Sequence, residues 1–187
     1  LLKEQDLYYN YTFLFGPESV GSIAFLSQNE QLISKIKYSV FNEMVGLDNP
    51  LIIQKSYQEK ALVNRYAECA MFKSQGLVKS YPYLTVAGND EKIFNAPGVN
   101  IPSISITRIN QEKRLKKEKE LQQEGLNKLV SPYPEYHSHL DNIDIVDFHR
   151  VNETVEVLYD LCHIIEKDFI PVRKFKGPVF LSKYDWP

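Results

Sequence analysis

The sequence predicts an α/β domain, because runs with strand character alternate with runs in which apolar residues recur at helical spacing. The chain has 187 residues, of which 43% are hydrophobic and 25% charged, enough apolar material for one sizeable core. It begins in a run that resembles the last turns of a helix and stops shortly after the strand-like run 178–181. We therefore expect an incomplete domain that belongs to a longer polypeptide.

The first half of the chain is predicted to open with a strand at 11–15, a Gly16-Pro17 turn and a helix at 19–27. A short helix, two strands and a long helix follow, at 30–36, 37–45, 51–54 and 57–72. The long helix has an apolar face, so we expect it to pack on the sheet.

In the second half, strands are predicted at 82–87 and 102–107, and an amphipathic helix at 151–165 with Asn152 as its cap. The segment 109–129 differs, because it is highly charged and almost without apolar residues. It is interpreted as a solvated helical insertion, with a partner-binding arm as the alternative. We assign 1–170 to the α/β domain and 171–187 to a C-terminal extension or the start of a following segment.

Composition narrows the classes of function. A net charge of −2 gives no reason to expect nucleic acid, and no apolar run approaches the ~20 residues that a membrane span needs. Cys69 and Cys162 lie in helical runs outside any CxxC spacing, so neither a disulfide framework nor a thiolate metal cage is favoured. The sequence predicts a reduced, cytoplasmic protein without a membrane partner.

Two carboxylates are candidates for chemistry. Glu18 follows a predicted strand and opens a helix, which places it at the carboxyl end of a sheet, where α/β proteins bind ligands. The alternative is an acid that merely stabilises a helix N-terminus. Glu43 lies in the otherwise apolar run VFNEMVG, where an ionised side chain is costly unless it is paired or binds metal. The alternative is that strand alternation turns it to solvent.

The run PEYHSHLD at 134–141 supplies two histidines, His137 and His139, beside the acid Asp141. Residues two apart in an extended segment share a face, so both rings could approach one metal ion. A histidine paired with a nearby carboxylate is an equal alternative. The sequence contains no phosphate-binding glycine loop, GxSxG elbow or HExxH motif.

Four runs in order, FLFGPESVGS, VFNEMVG, GNDEKIFNAPGVNIPSISITR and PEYHSHLDNIDIV, resemble the second half of the zinc exopeptidases of the bacterial leucyl aminopeptidase and glutamate carboxypeptidase family. They are more closely similar to bacterial aminopeptidase-like domain proteins often encoded beside polysaccharide-biosynthesis genes. The resemblance extends from about Tyr11 to Asp144. It implies a mixed, mostly parallel sheet sandwiched by helices, and a cofactor of one or two zinc ions.

The resemblance also implies roles for individual residues. Glu18 takes the position of the general base that deprotonates a zinc-bound water, and Glu43 and His137 take ligand positions. Ser19 stands where the family has a second, metal-binding glutamate. Positions that correspond to substrate-binding or supporting residues are Asp90, Arg108 and Asp141, and His139, from the spacing argument above, is a further candidate for such a role.

The family's first ligand histidine and its bridging aspartate lie upstream of the glutamate motif, and no residue before Glu18 matches them. One hypothesis is therefore a metallo-aminopeptidase whose site is completed by upstream residues and that cleaves a small peptide or related amide. The other is a non-catalytic domain of the same fold in surface-polysaccharide biosynthesis, with 109–129 contacting a protein partner or a second copy. A sugar hydrolase using a carboxylate pair is a third option, in which Asp90 would have to approach Glu18 in space.

Overall fold

The computed structural model describes residues 6–169, 172 and 176. The helices are α1 (Val20–Gln28), α2 (Glu30–Ile33), α3 (Leu62–Gln75), α4 (Glu91–Phe94), α5 (Gln111–Gln123) and α6 (Phe148–Lys167), with a 3-10 turn at Ile143–Ile145. The strands are β1 (Ser39–Asn42), β2 (Ile52–Gln54), β3 (Ser80–Tyr81) and β4 (Ser103–Thr107). The predicted strand at 178–181 and the segment assigned to 171–187 fall almost wholly outside the described residues.

The four strands form one mixed sheet in the order β1-β4-β2-β3. β1 pairs in parallel with β4, β2 pairs in parallel with β3, and β2 runs antiparallel to β4. The predicted α/β architecture with a mixed, mostly parallel sheet is thereby confirmed. None of the described helices has both the length and the apolar character needed to cross a membrane.

The two faces of the sheet differ in chemistry. On one face, Ile53, Ile104 and Ile106 pack against α3 and α6 in the main core. On the other face, Ser103, Ser105 and Thr107 of β4 are fully buried. Gln54 of β2 shares this second face and donates a hydrogen bond to Glu91 of α4, which places α4 over it. Helices therefore cover both sides of the sheet, as predicted.

Two predicted strands are wrong. The run 11–15 forms no strand, and its aromatic residues Phe13 and Phe15 are exposed. The backbone just before this run is held by a distant side chain instead of a neighbouring strand. The Glu166 carboxylate accepts hydrogen bonds from the backbone N–H groups of Tyr8 and Tyr9. The prediction missed this because it depends on a carboxylate 155 or more positions away.

The run 82–87 also turns rather than extends. Thr85 N–H donates to the Pro82 carbonyl, and Leu84 adopts a positive φ of 58°. The following N–H groups, of Val86 and Ala87, donate to the Gln54 side chain and not to a neighbouring strand.

The long C-terminal helix begins four residues before the predicted cap at Asn152. Asp147 is the cap, and its carboxylate accepts hydrogen bonds from the backbone N–H groups of His149 and Arg150. Since a carboxylate oxygen satisfies N–H groups that have no partner within the helix, Asp147 fixes where α6 starts.

Candidate active site

Glu18 and Glu43 line the same cleft, which has a volume of about 280 Å³. Glu43 directly follows β1, and its backbone N–H continues the ladder by donating to the Ile106 carbonyl at 3.3 Å. Glu18 precedes α1 in a turn closed by the Gly21 N–H donating to the Pro17 carbonyl at 2.8 Å. The structure therefore brings Glu18 and Glu43 together, although the strand predicted before Glu18 does not form and Glu43 follows β1 instead of lying within it.

The segment 86–89 forms one wall of the cleft, and the residues around Tyr136 form another. Arg114 of α5 lines the cleft, and its guanidinium donates to the Val86 carbonyl at 2.5 Å and to Glu118 at 3.2 Å. The lining residues are Glu18, Glu43, Met44, Val86, Ala87, Gly88, Asn89, Arg114, Leu129, Val130, Ser131, Pro132 and Tyr136.

The surroundings of the Glu43 carboxyl group disfavour its ionised form. Its Oε2 accepts a hydrogen bond from Asn89 Nδ2 at 3.2 Å, whereas its buried Oε1 has no partner among the described residues. Burial raises the pKa of Glu43 to about 7, the Asn89 hydrogen bond lowers it, and the nearby acids Glu91, Glu18 and Asp90 raise it. A carboxyl that titrates near neutral pH in a cleft is typical of a group that transfers protons or binds a cation.

Asp90 connects the two sides of the cleft. Its Oδ1 accepts a hydrogen bond at 3.1 Å from the backbone N–H of Ser19, the residue after Glu18. Ser19 has a positive φ of 61°, which is uncommon for a residue with a side chain. The Asp90 carboxylate, which is buried, thus holds the turn that presents Glu18.

His137 lies beside the cleft. Its exposed imidazole stacks on the ring of Tyr136, with centroids 3.8 Å apart and planes 17° from parallel. Tyr136 lines the cleft, and its pKa is raised by burial and by the charges of Glu18 and Glu43. The ring of His137 therefore lies against Tyr136 and is not part of the cleft wall.

His139 and Asp141 are both exposed, and neither lines the cleft. The carboxylate of Asp141 accepts a hydrogen bond from the Tyr133 hydroxyl at 2.7 Å, and burial, together with this contact, raises the pKa of Tyr133. Asp141 is therefore a hydrogen-bond partner of Tyr133. The supporting role of His139 and Asp141 around the site stays a prediction.

Arg108 does not line the cleft. It is only 2% exposed, and its guanidinium donates to the Asn49 carbonyl at 2.7 Å, to Glu153 at 2.9 Å and to Thr154 at 3.3 Å. Burial lowers the pKa of Arg108, while the charge of Glu153 raises it. In this structure the group predicted to bind a substrate carboxylate is engaged by its own chain.

Sequence reasoning missed three of the residues that shape the cleft. Asn89 and Glu91 flank Asp90 in the run GNDEKIF, and the sequence indicates no role for either side chain. Arg114 lies within the charged run of α5, where nothing in the sequence distinguishes one cation from the others. Contacts with distant residues, and not the local pattern, mark these three positions.

The described residues alone do not assemble a zinc site. Nowhere in the described part of the chain do three His, Cys, Asp or Glu side chains meet so that they could hold a metal ion. The buried oxygens Glu43 Oε1 and Asn89 Oδ1 have no hydrogen-bond partner in that part of the chain, so two oxygen atoms are available as metal ligands. Zinc sites in proteins normally have at least three protein ligands. The residues present therefore do not fit a complete zinc site.

The fold of this chain is shared with a solved structure. The chain is similar to a crystal structure described as a "putative peptidase" from Clostridium acetobutylicum, with a TM-score of 0.71 and 22% identity over 88% of this chain and 34% of that one. The two chains therefore share an α/β fold. Residues 1–116 match the family described as "Domain of unknown function (DUF4910)", and the chain belongs to this family.

A curated relative carries a more specific description. Over 103 residues the chain is 30% identical to a Clostridium acetobutylicum protein described as "Putative polysaccharide biosynthesis protein with aminopeptidase-like domain". The match covers 54% of this chain and 23% of that protein. The chain thus spans about a quarter of the curated relative and about a third of the solved structure.

Proposed function

We propose that this chain is part of a zinc-dependent hydrolase of the aminopeptidase type, which cleaves a peptide or related amide bond. The observation that carries the proposal is the meeting of Glu18 and Glu43 in one cleft, where the pKa of Glu43 is raised to about 7. The aminopeptidase-like domain named in the curated relative supports the same class of reaction.

In this proposal Glu18 moves the proton. Its carboxylate takes a proton from the attacking water and gives it to the amine that leaves when the amide bond breaks. The Ser19–Asp90 hydrogen bond holds the Glu18 turn during both transfers. Arg114, whose guanidinium already lines the cleft, is a second candidate beside Arg108 for binding a substrate carboxylate.

Zinc binding by Glu43 and His137 is part of the proposal and requires ligands from outside the described residues. His137 is exposed beside the cleft, and the Glu43 oxygen without a partner is buried within it. Asp90, His139 and Asp141 are proposed to support these groups rather than to react. A cytoplasmic location also stays a prediction.

The first test is the substitution Glu18→Gln in the natural full-length polypeptide that carries this chain. We expect release of N-terminal residues from a peptide panel, followed by mass spectrometry, to fall by about 100-fold or more, because the proton carrier is lost while the shape is kept. Zinc content should not change. Glu30→Gln, at an exposed acid on α2, is the matched control and should leave the rate unaltered. A Glu18→Gln variant with normal turnover would remove Glu18 from the mechanism.

A second candidate function is a non-catalytic binding or scaffold domain of the same fold in surface-polysaccharide biosynthesis. The observation that favours it is the incomplete set of metal-binding side chains in the described residues. In that case α5, which is highly charged and mostly exposed, is the proposed contact for a protein partner or a second copy. A full-length polypeptide that neither binds zinc nor hydrolyses any peptide would favour this candidate.

A further inference from the structure

Glu91 is a buried acid without a cationic partner among the described residues. Its side chain is 0% exposed, and every hydrogen bond that it accepts comes from a neutral N–H group. Gln54 Nε2 donates at 3.1 Å, and the backbone N–H of Asn89 donates at 3.0 and 3.1 Å to the two carboxylate oxygens. Because a buried carboxylate without a counter-ion is costly, its presence calls for a function beyond packing.

Gln54, the hydrogen-bond partner of Glu91, binds the other end of the segment 86–89. Gln54 is also 0% exposed, and its Oε1 accepts hydrogen bonds from the backbone N–H groups of Val86 at 2.8 Å and Ala87 at 3.0 Å. Since Gln54 belongs to β2, an interior strand, these hydrogen bonds fix the segment 86–89 to the sheet.

The fixed segment holds both acids of the cleft. Asn89, whose backbone is bound by Glu91, donates from its side chain to Glu43 at 3.2 Å. Asp90, the next residue, accepts from the Ser19 backbone at 3.1 Å and so holds the turn of Glu18. Glu43 is therefore one hydrogen bond away from Asn89, which Glu91 binds, and the turn of Glu18 is one hydrogen bond away from Asp90, the residue between Asn89 and Glu91.

We propose that the buried Gln54–Glu91 pair positions Glu43 and the Glu18 turn through the segment 86–90. Glu91 is thus a positioning residue and not a reacting one, because it contacts neither acid by hydrogen bond. Its catalytic consequence rests on the proposed hydrolase function, whereas its structural consequence can be measured without any activity.

The test exchanges the two side chains. Glu91→Gln removes the carboxylate and puts an NH₂ group beside the Asn89 N–H. Gln54→Glu alone places two carboxylates against each other. In the double variant Gln54→Glu/Glu91→Gln the amide at 91 can donate to the carboxylate at 54. The backbone N–H groups of Val86 and Ala87 still find an acceptor at position 54, and that of Asn89 still finds one at position 91. It therefore restores the hydrogen-bond pattern while moving the charge.

The measurement is amide hydrogen exchange at single-residue level in the full-length polypeptide. We expect each single variant to speed exchange of Val86, Ala87, Asn89 and the distant Ser19 by about 10-fold or more, and the double variant to reverse most of this. Asn64→Asp is the control, since Asn64 is a buried amide on α3 that binds 56–59 and not the segment 86–90. It should lower the free energy of unfolding and leave exchange at Asn89 and Ser19 as in the unaltered protein, compared at matched stability.

Unchanged exchange at Ser19 and Asn89 in Glu91→Gln would overturn the positioning role, whether or not the protein hydrolyses peptides. Where hydrolysis is measurable, we expect Glu91→Gln to lower kcat by about 10-fold with little change in KM, and the double variant to recover most of the loss. A changed exchange pattern in a protein without hydrolysis would leave the positioning role standing and overturn only the proposed reaction.

Discussion

The environment of the Glu43 carboxyl illustrates how a site is formed at the scale of single residues. The sequence marked Glu43 because it interrupts an apolar run, and the structure explains how the chain accommodates it. One oxygen accepts from Asn89, and the other is buried without a partner among the described residues. The protonated form of Glu43 is consequently favoured in the folded chain.

This environment predicts a pH dependence of stability for the metal-free chain. The pKa of Glu43 is raised from 4.5 to about 7 in the folded state. Between these values the folded chain retains a proton that the unfolded chain has released, so the free energy of unfolding should decrease as pH rises, by about 1 to 3 kcal/mol in total. Urea unfolding of the chelated protein across this range measures the slope.

The variant Glu43→Gln identifies the source of that slope. The amide does not titrate, so the variant should lose this contribution and become relatively more stable at the upper end of the range. Glu59→Gln, at an exposed acid, should keep the slope of the unaltered chain. The same slope in Glu43→Gln would show that another group releases the proton.

At the scale of elements, the start of α6 is joined to the loop between β1 and β2 by an ion pair whose arginine is buried. Arg108 binds Glu153 of α6 and the Asn49 carbonyl of the loop. Arg150, one turn earlier in α6, binds both Asp48 of the loop and Glu153. The loop after β1 follows Glu43, so this network indirectly supports the cleft.

We expect Arg108→Met to lower the free energy of unfolding by about 2 to 4 kcal/mol, because it leaves the Asn49 carbonyl and Thr154 without their donor. Glu153→Gln should cost less, about 1 to 2 kcal/mol, since Glu153 is partly exposed and the other contacts of Arg108 remain. A double-mutant cycle by urea unfolding measures the coupling between them. The exposed Glu156→Gln on α6 is the control.

If Arg108→Met unfolds like the unaltered chain, the ion pair has no structural weight and the predicted role of Arg108 as a substrate ligand gains support. The energetics thus separate two readings of one residue that its position in the sequence could not separate.

Local patterns predicted most elements and failed where a distant side chain takes over the backbone. Helices α1, α3, α5 and α6 and strands β1, β2 and β4 overlap their predicted ranges, because each has its own apolar spacing or charge pattern. The predicted strands at 11–15 and 82–87 do not form. Backbone N–H groups just before the first of these runs donate to Glu166, and N–H groups within the second donate to Gln54.

The site shows the same division. The sequence singled out Glu18 before a helix and Glu43 in an apolar run, and the family resemblance implied that they share a site; the structure brings both into one cleft. The buried Gln54–Glu91 pair and the cleft cation Arg114 could not be predicted, because their roles depend on contacts across 37 and 28 positions of sequence. A single sequence contains no signal for such pairings.

At the scale of the whole molecule, the described residues supply two cleft carboxylates and an incomplete set of metal ligands. If the proposed hydrolase function is right, elemental analysis should find about one or two zinc ions per chain in the full-length polypeptide purified without chelator. The 187 residues alone should bind none tightly. His137→Ala should lower zinc occupancy of the full-length form, whereas the exposed His149→Ala should not.

Absence of zinc from the full-length polypeptide would contradict the ligand roles of Glu43 and His137. Unchanged occupancy in His137→Ala would contradict the role of that histidine alone.

Strand β4 lies between two interiors, with isoleucines against α3 and α6 and hydroxyl residues beneath α4. Its successive positions should therefore tolerate opposite kinds of inherited variation. Positions 104 and 106 should accept changes of shape among apolar residues, whereas 103, 105 and 107 should accept small polar or alanine replacements but not bulk. Across relatives of this chain, selection should therefore limit polarity at positions 104 and 106 and side-chain volume at positions 103, 105 and 107, which alternate along the same strand.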